Sequence, residues 1–322
     1  MKFFAFNFRI MEPLVSCIIP TYNRAHIVGR AIRSVLNQTY KNIEVIVVDD
    51  GSQDNTQEVV LSIKDKRVRY IRLHRNFGAA FARNIGIANA RGEFVAFLDS
   101  DDYFLPEKIE KQVELMLKDE SIGVCYTEVY YEIDNGELIY KESPRIRGRI
   151  PEKVLYEKIL LFPPLILFPT FLVRKDLLHN CKFVENKKVF EEVGFLIGLS
   201  KDANFDFIPL PLYVVNKKTN EQRNPRPNIE VRIKDYERLL NEYKFDILRL
   251  LGKDVISFRY NRLALTAYKY GYKSLAAKLF FKSAFETKSL KDFLKGISVI
   301  LGLYEKYMMR KYGKEKLEEF TI

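Results

Sequence analysis

The feature that most constrains this chain is a fourfold alternation between residues 14 and 118. Four continuous apolar runs, VSCIIP (15–20), IEVIVVD (43–49), VRYIRL (68–73) and EFVAFLD (93–99), are each followed by a stretch with helical periodicity, over 24–37, 54–63, 79–90 and 106–118. Pro106 suits the first position of the last of these helices. Runs of Val, Ile and Phe without polar alternation are strands buried on both faces, and helices between them are crossover connections. The pattern therefore predicts an α/β fold, a mostly parallel sheet flanked by helices. In such sheets the groups that handle ligands gather at the carboxyl ends of the strands. Those ends carry the acids here: Asp49 and Asp50 after the second run, Asp99, Asp101 and Asp102 after the fourth.

Residues 121–225 are less regular. VCYTEVYYEI alternates like a half-buried strand, and Asn135-Gly136 marks a hairpin turn into ELIYKE. The Pro-rich stretch NPRPN (224–228) reads as a hinge, dividing the chain into an α/β domain, 1–225, and a helical extension, 226–322. In the extension, Ala267, Tyr270, Gly271, Ala276, Phe280 and Ala284 are spaced as in a packed helix hairpin. One such pair resembles a tetratricopeptide unit, but a single copy does not make a solenoid.

Charge separates the two parts further. The net charge is +11, and from Arg226 onward 21 Lys and Arg face 12 Asp and Glu, so most of the excess lies in the extension. Between Asp254 and Glu286 there is no acid, while Arg259, Arg262, Lys269, Lys273, Lys278 and Lys282 recur. Such a tail serves nucleic acid, an anionic membrane, or simply a solvated helix face. With the apolar FLKGISVILGLY (293–304) beside it, the partners to expect are an anionic membrane or a second copy of the chain, and not nucleic acid.

Three distant cysteines, Cys17, Cys125 and Cys181, argue against a disulfide framework or a zinc site and for a reducing compartment. The N-terminal apolar run is interrupted by Asn7 and Arg9 and has no cleavage signature, so no signal peptide is expected, and Met11 is an alternative start. ILLFPPLILFPTFLV (159–173) is too short for a span and holds three prolines. The expectation is a cytoplasmic protein, with peripheral attachment to the membrane's cytoplasmic face as an option.

After the first strand, PTYNRA (20–25) stands where a dinucleotide-binding fold would carry G-x-G-x-x-G, and no G-x-x-x-x-G-K-S/T occurs either. Thr21, Tyr22 and Asn23 offer hydroxyls, an amide and a ring to a base and ribose, or form an ordinary turn in which Asn23 caps the next helix. In VVDDGSQDNT (47–56), one carboxylate can accept from a base or ribose, while Ser52 or Asp54 can cap a helix. Asp99 and Asp101, two apart on extended chain, can face one cleft. Clustered carboxylates repel unless a cation or donor compensates. A few hard oxygens suit Mg²⁺ or Mn²⁺ bridging to phosphates; the alternative is a solvated turn.

Taken together, PTYNRA, VVDDGSQDNT, RNFGAAFARNIGIANARGEFVAFLDSDD, FEEVGFLIGLS and FDFIPLPLYVV, spread over 14–216, resemble the inverting glycosyltransferase family 2, whose fold is the Rossmann-like GT-A. The resemblance implies that Pro20, Thr21, Tyr22, Asn23 and Arg24 bind the nucleotide, with Asp50 on the base and Asp49 supporting it. It places Asn76, Gly78, Arg83 and Asn84 along the nucleotide and donor sugar. Asp99-Ser100-Asp101 becomes the D-x-D motif with Asp102 following, and Mg²⁺ or Mn²⁺ is assigned to Asp101 first, then Asp99 and Asp102.

The family's catalytic base belongs to an acidic pair at a helix start, which maps to Glu192 with Glu191 before it; here Glu stands where the family has Asp. One methylene matters for a positioned base, since about 1 Å of misplacement can cost ~100-fold. The structural alternative is an acid pair favoured by the helix dipole. The implied reaction is one in-line displacement from a nucleotide-diphosphate sugar, a UDP-sugar in the first place, to a hydroxyl of a glycan or lipid-linked saccharide. The chain has no Trp, so the Q-x-x-R-W motif of processive relatives is absent and single transfer is expected. A catalytically degenerate binding or assembly module is the alternative. A nucleotidyltransferase is a third reading, but it lacks the expected glycine-rich, lysine-containing loop.

Overall fold

The computed structural model describes residues 12–143, 145–151, 153–154, 167–185, 191–217, 228–300 and 302–303. The chain forms two compact units: 1–150, 166–186 and 194–222 in the first, and 151–165, 187–193 and 223–322 in the second. The continuous part of the second begins beside the expected hinge, and two upstream stretches group with it.

The first unit is built on a ten-stranded sheet: β1 (Val15–Thr21), β2 (Ile43–Asp49), β3 (Val68–Arg72), β4 (Phe94–Phe97), β5 (Tyr103–Phe104), β6 (Ile122–Glu132), β7 (Leu138–Lys141), β8 (Gly148–Arg149), β9 (Leu172–Arg174) and β10 (Asn204–Asn216). The order is β3-β2-β1-β4-β9-β6-β10-β5, with β7 on β6 and β8 on β10. Strands β3, β2, β1 and β4 are mutually parallel, as are β6 and β10, while β9 runs antiparallel between β4 and β6. The four strands predicted from the apolar runs are all present. The short β5, β8 and β9 were not predicted, because two or three residues carry no periodic signal.

Every residue of β1, β2 and β4 is buried, as strands covered on both faces require. On one face, Val28, Ala31, Ile32 and Val35 of α1 (Val28–Leu36) form an apolar stripe that joins the core containing Cys17 and Ile19. On the other face, α3 (Ala79–Asn89) approaches closely at Gly86, where a Cβ would lie 2.4 Å from the Ile18 side chain. Helices α2 (Thr56–Ser62) and α4 (Lys108–Lys118) complete the alternation. The expected hairpin is β6–β7, turning at Gly136 with φ +82.

Register sets the height of the site. Thr21 pairs with Asp49 and Ile18 with Phe97, so the loops leaving β1, β2 and β4 emerge along one edge of the sheet.

Helix α5 (Glu191–Asp202) begins at residues grouped with the second unit. The second unit continues with α6 (Ile229–Glu242), α7 (Lys244–Leu251), α8 (Lys253–Lys269), α9 (Lys273–Thr287) and α10 (Leu290–Ile300). The Asn228 side chain caps α6, accepting from the Glu230 N–H at 2.6 Å. Helices α8 and α9 form the hairpin expected from small-residue spacing: Ala267, Ala276 and Phe280 are buried, and Gly271 turns at φ +84. Tyr270 is a correction, since it projects outward from the turn. Among the described residues no helix is long and apolar enough to cross a membrane. Most of the 159–173 window, and 224–227 of the hinge, lie outside those residues.

Candidate active site

The loop after β1 is stitched to the loop after β2. The Asn23 N–H donates to Ser52 Oγ at 2.9 Å, and its side-chain oxygen accepts from the Gln53 N–H at 2.8 Å. The Arg24 N–H donates to Thr56 Oγ1 at 2.9 Å and that of Ala25 to Asp54 Oδ2 at 3.0 Å. Asn23 adopts φ +52, which Asn tolerates better than most residues. It caps no helix; α1 starts at Val28, where the Arg24 carbonyl takes the first amides. Tyr22 is partly exposed, Pro20 and Thr21 are buried, and Thr21 Oγ1 has no hydrogen-bond partner.

The two aspartates after β2 divide their labour. Asp49, fully buried, accepts from the Ser52 N–H at 2.8 Å and from the Tyr70 hydroxyl, closing the turn. Asp50 accepts from the Phe77 and Gly78 amides at 2.8 and 2.7 Å, tying β2 to the loop that opens α3. Burial raises the Asp50 carboxyl, the two amides oppose this, and the neighbouring Asp49 charge adds to the rise. Its oxygens are thus already bonded to backbone, although each keeps a second lone pair.

Gly51 (φ +77) brings this turn against Arg75, whose backbone would lie 2.7 Å from a Cβ. Gly78 needs its glycine for another reason, φ +99 with open space around the position. Asn76 is exposed beside it. A cavity of about 470 Å³ opens here, lined by Gly51, Ser52, Gln53, Arg72, Leu73 and His74. Arg72 and His74 were not among the residues expected from sequence, because no motif includes them; β3 is moreover a correction to the buried-strand reading of its run, since its residues are half-buried or exposed and not covered on both faces.

The acids after β4 separate most clearly. Asp99 and Asp101 have side chains 34% and 30% exposed, and each faces an arginine: Arg83 Nη2 lies 2.8 Å from Asp99, and Arg24 Nη2 lies 3.7 Å from Asp101. Arg83 is itself held over the Phe168 and Phe183 rings, at 5.0 and 5.4 Å from their centroids. Arg30, another residue without a motif, donates to the Asp101 carbonyl at 2.9 Å and to Glu132 at 3.0 Å.

Asp102 corrects the expected metal set. It is buried, with Oδ2 accepting from the Tyr213 hydroxyl at 2.7 Å and Oδ1 from the Asn216 N–H at 2.9 Å. Burial raises its carboxyl well above the usual range, with the Asp101 and Asp99 charges adding to the rise. It anchors the loop to β10, which leaves Asp99 and Asp101 as the carboxylates open to a ligand. Ser100 is buried between them. Among the described residues no group of three His, Cys, Asp or Glu side chains converges as a complete metal cage.

Asn84 also acts on the fold: its amide pairs twice with the Phe183 backbone, at 3.0 Å each way, and reaches Glu185 at 2.9 Å. That fastens the 183–185 segment to α3. Glu191 and Glu192 occupy the first turn of α5, both partly exposed; Phe190, which precedes them in the motif, lies outside the described residues.

The mostly parallel, helix-flanked sheet with its C-terminal helices is the GT-A fold, and solved structures share that fold. Staphylococcus aureus TarS 1–349 in complex with UDP-GlcNAc superposes with a TM-score of 0.60 at 20% identity, covering 93% of each chain. The profile of glycosyl transferase family 2 matches residues 16–181, and the chain belongs to that family. Escherichia coli WfgD, a UDP-Glc:alpha-D-GlcNAc-diphosphoundecaprenol beta-1,3-glucosyltransferase, is 42% identical over 147 residues, covering 46% of this chain and 55% of WfgD. An uncharacterized Haemophilus influenzae glycosyltransferase is 46% identical over 128 residues, covering 39% of this chain and 51% of its own length. The chain thus spans about half the length of these relatives.

Proposed function

We propose that the chain transfers a single sugar, with inversion, from a UDP-sugar to a hydroxyl of a lipid-linked saccharide, with 1–225 as catalytic domain and 226–322 as a basic helical region. The observation that carries this reading is the pair of one-third-exposed carboxylates, Asp99 and Asp101, each countered by an arginine at the strand ends. A UDP donor is supported by TarS, solved with UDP-GlcNAc, and by WfgD, named for UDP-Glc. The lipid-linked acceptor is supported by WfgD's diphosphoundecaprenol substrate.

Two open carboxylate oxygen donors fit Mg²⁺ or Mn²⁺ that completes its shell with phosphate and water. Asp101 and Asp99 would hold the ion, which would supply charge neutralisation for the departing diphosphate. The remaining work belongs to side chains. Arg83 and Arg24 orient the two carboxylates before the donor arrives. Asp50, Asn23 and the Gly78 turn shape the nucleotide's bed, and Thr21 Oγ1 offers it a buried hydroxyl. Glu192 takes the proton from the acceptor hydroxyl as that oxygen attacks the anomeric carbon, with Glu191 beside it.

The test is transfer by the purified chain from UDP-Glc, UDP-GlcNAc or UDP-Gal to polyprenyl-diphosphate saccharides, with the product anomer read by NMR. Transfer with inversion that stops in EDTA and resumes with Mn²⁺ supports the reading. Absence of UDP release with every donor–acceptor pair overturns it. UDP binding without any turnover would favour the degenerate binding module.

A further inference from the structure

Helix α10 is amphipathic in the inverted sense. Two of its polar side chains, Asp292 and Lys295, point inward: Asp292 is buried, and its Oδ2 accepts from Ser283 Oγ at 2.7 Å, Ser257 Oγ at 2.9 Å and Asn261 Nδ2 at 2.9 Å. Lys295 closes the network, donating to Asp292 Oδ1 at 2.6 Å and Asn261 Oδ1 at 2.7 Å. Gly296 lets the helix settle on the Phe281 ring, 2.6 Å from where a Cβ would be. These contacts fix the helix's rotation, and they turn Leu290, Phe293, Leu294 and Ile300 outward while Val299 packs inward. Leu290 is 70% exposed, Ile300 66%, and Phe293 and Leu294 about half, at the i, i+3, i+4 spacing of one face. Phe285 of α9 stands 86% exposed beside them.

Buried polar groups this well satisfied specify an arrangement, so the outward apolar face is built in and not a loose end. The face borders a groove of about 1250 Å³ lined by Phe281, Phe285, Leu290, Phe293, Val299 and Ile300. Exposed lysines rim it: Lys273, Lys278 and Lys288, with Lys291 on α10 itself. Contiguous apolar surface of this kind marks an interaction site.

The charge decides between occupants. A second copy laid on this face would bring its lysines against those of the first, whereas a plane of lipid phosphates complements them. We infer that the α9–α10 face docks on an anionic bilayer, with Phe285, Leu290, Phe293, Leu294 and Ile300 entering the boundary between headgroups and acyl chains and the lysines pairing with phosphates. This holds whether or not the chain transfers sugar, and its test uses neither nucleotide nor acceptor.

The chain lacks tryptophan, so Phe293→Trp gives a single reporter on the face. With phosphatidylglycerol vesicles its emission shifts to the blue and is quenched by acyl-chain bromination; phosphatidylcholine vesicles at about 0.1 M salt leave it unchanged. Leu290→Ser with Leu294→Ser raises the lipid concentration for half-maximal co-sedimentation by at least about tenfold, while the circular dichroism spectrum stays that of the parent. Failure of the parent chain to co-sediment with phosphatidylglycerol overturns the inference. So does co-sedimentation without an emission shift, or a dimer, seen by light scattering without lipid, that the serine variants dissociate.

Discussion

Arg83 Nη2 lies 2.8 Å from Asp99 Oδ1, so the first carboxylate after β4 is balanced by a cation from α3 sixteen residues earlier in the chain. Asp101 has a second cation, Arg24, from the loop after β1. A chain of net charge +11 can place acids together here because its own arginines face them.

Arg83→Ala leaves Asp99 uncompensated, and Asp101→Ala removes an open oxygen donor. Steady-state transfer rates should fall by roughly 100-fold or more in each, the scale of losing one oriented electrostatic group. Asp102→Asn keeps the oxygen that accepts from Tyr213 or Asn216 but not both. It should lower Tm first, and activity only as far as the loop loosens.

Glu192→Gln keeps size and removes the proposed base. Its kcat should drop by about 100-fold or more, while KM for the donor stays within about twofold. Glu192→Asp should retain more activity than the Gln variant, because it still carries a carboxylate. Equal activity of parent and Gln variant would move the base elsewhere.

Gly51→Ala forces a side chain into φ +77 and against the Arg75 backbone at 2.7 Å. The conformational cost alone is about 1–2 kcal/mol, and the clash adds to it. A thermal melt should show a clear loss of Tm, and under the proposed function the affinity for UDP should fall with it, because Asp50 and the Gly78 turn, assigned there to the nucleotide, lie on the two loops it joins.

Lys108 is fully buried under the sheet, donating to Gln112 at 2.8 Å with its amine 4.3 Å from the Phe104 ring centroid. Burial pushes its amine down to about 7, with Cys17 and Cys125 opposing. The unfolded chain holds that proton up to a pH of about 10. Below that pH the unfolded state binds more protons than the folded one, so this group costs stability as pH falls from about 10 to about 7 and no further below. Denaturant melts of Lys108→Met should lose that slope, at most ~1.4 kcal/mol per pH unit, and should show higher stability at pH 7.

Much of the fold was legible because its signal is local. The runs at 15–20, 43–49 and 93–99 announce buried strands through their own residues, the run at 68–73 announces a strand that the fold leaves only half-buried, and Asn135-Gly136 announces its hairpin. The β9 strand was not legible, since Leu172–Arg174 is a strand only through its neighbours β4 and β6. The site divides the same way. That acids cluster at strand ends can be read from the text of the chain, but Arg30, Arg72 and His74 join the site through contacts that no motif encodes.

The sequence by itself determined the alternation of strands and helices, the edge on which the chemistry gathers, and the family. Tertiary structure alone decided which of several adjacent acids is open. Asp102 is withdrawn by Tyr213 and Asn216, 111 and 114 residues away, while Asp99 meets an arginine from α3 and Asp101 one from the loop after β1. It likewise decided that α10 buries Asp292 and shows Leu290, Phe293, Leu294 and Ile300, because Asp292 finds partners on α8 and α9. Periodicity reports how residues are spaced along one element; what each side chain meets depends on elements brought together only by folding.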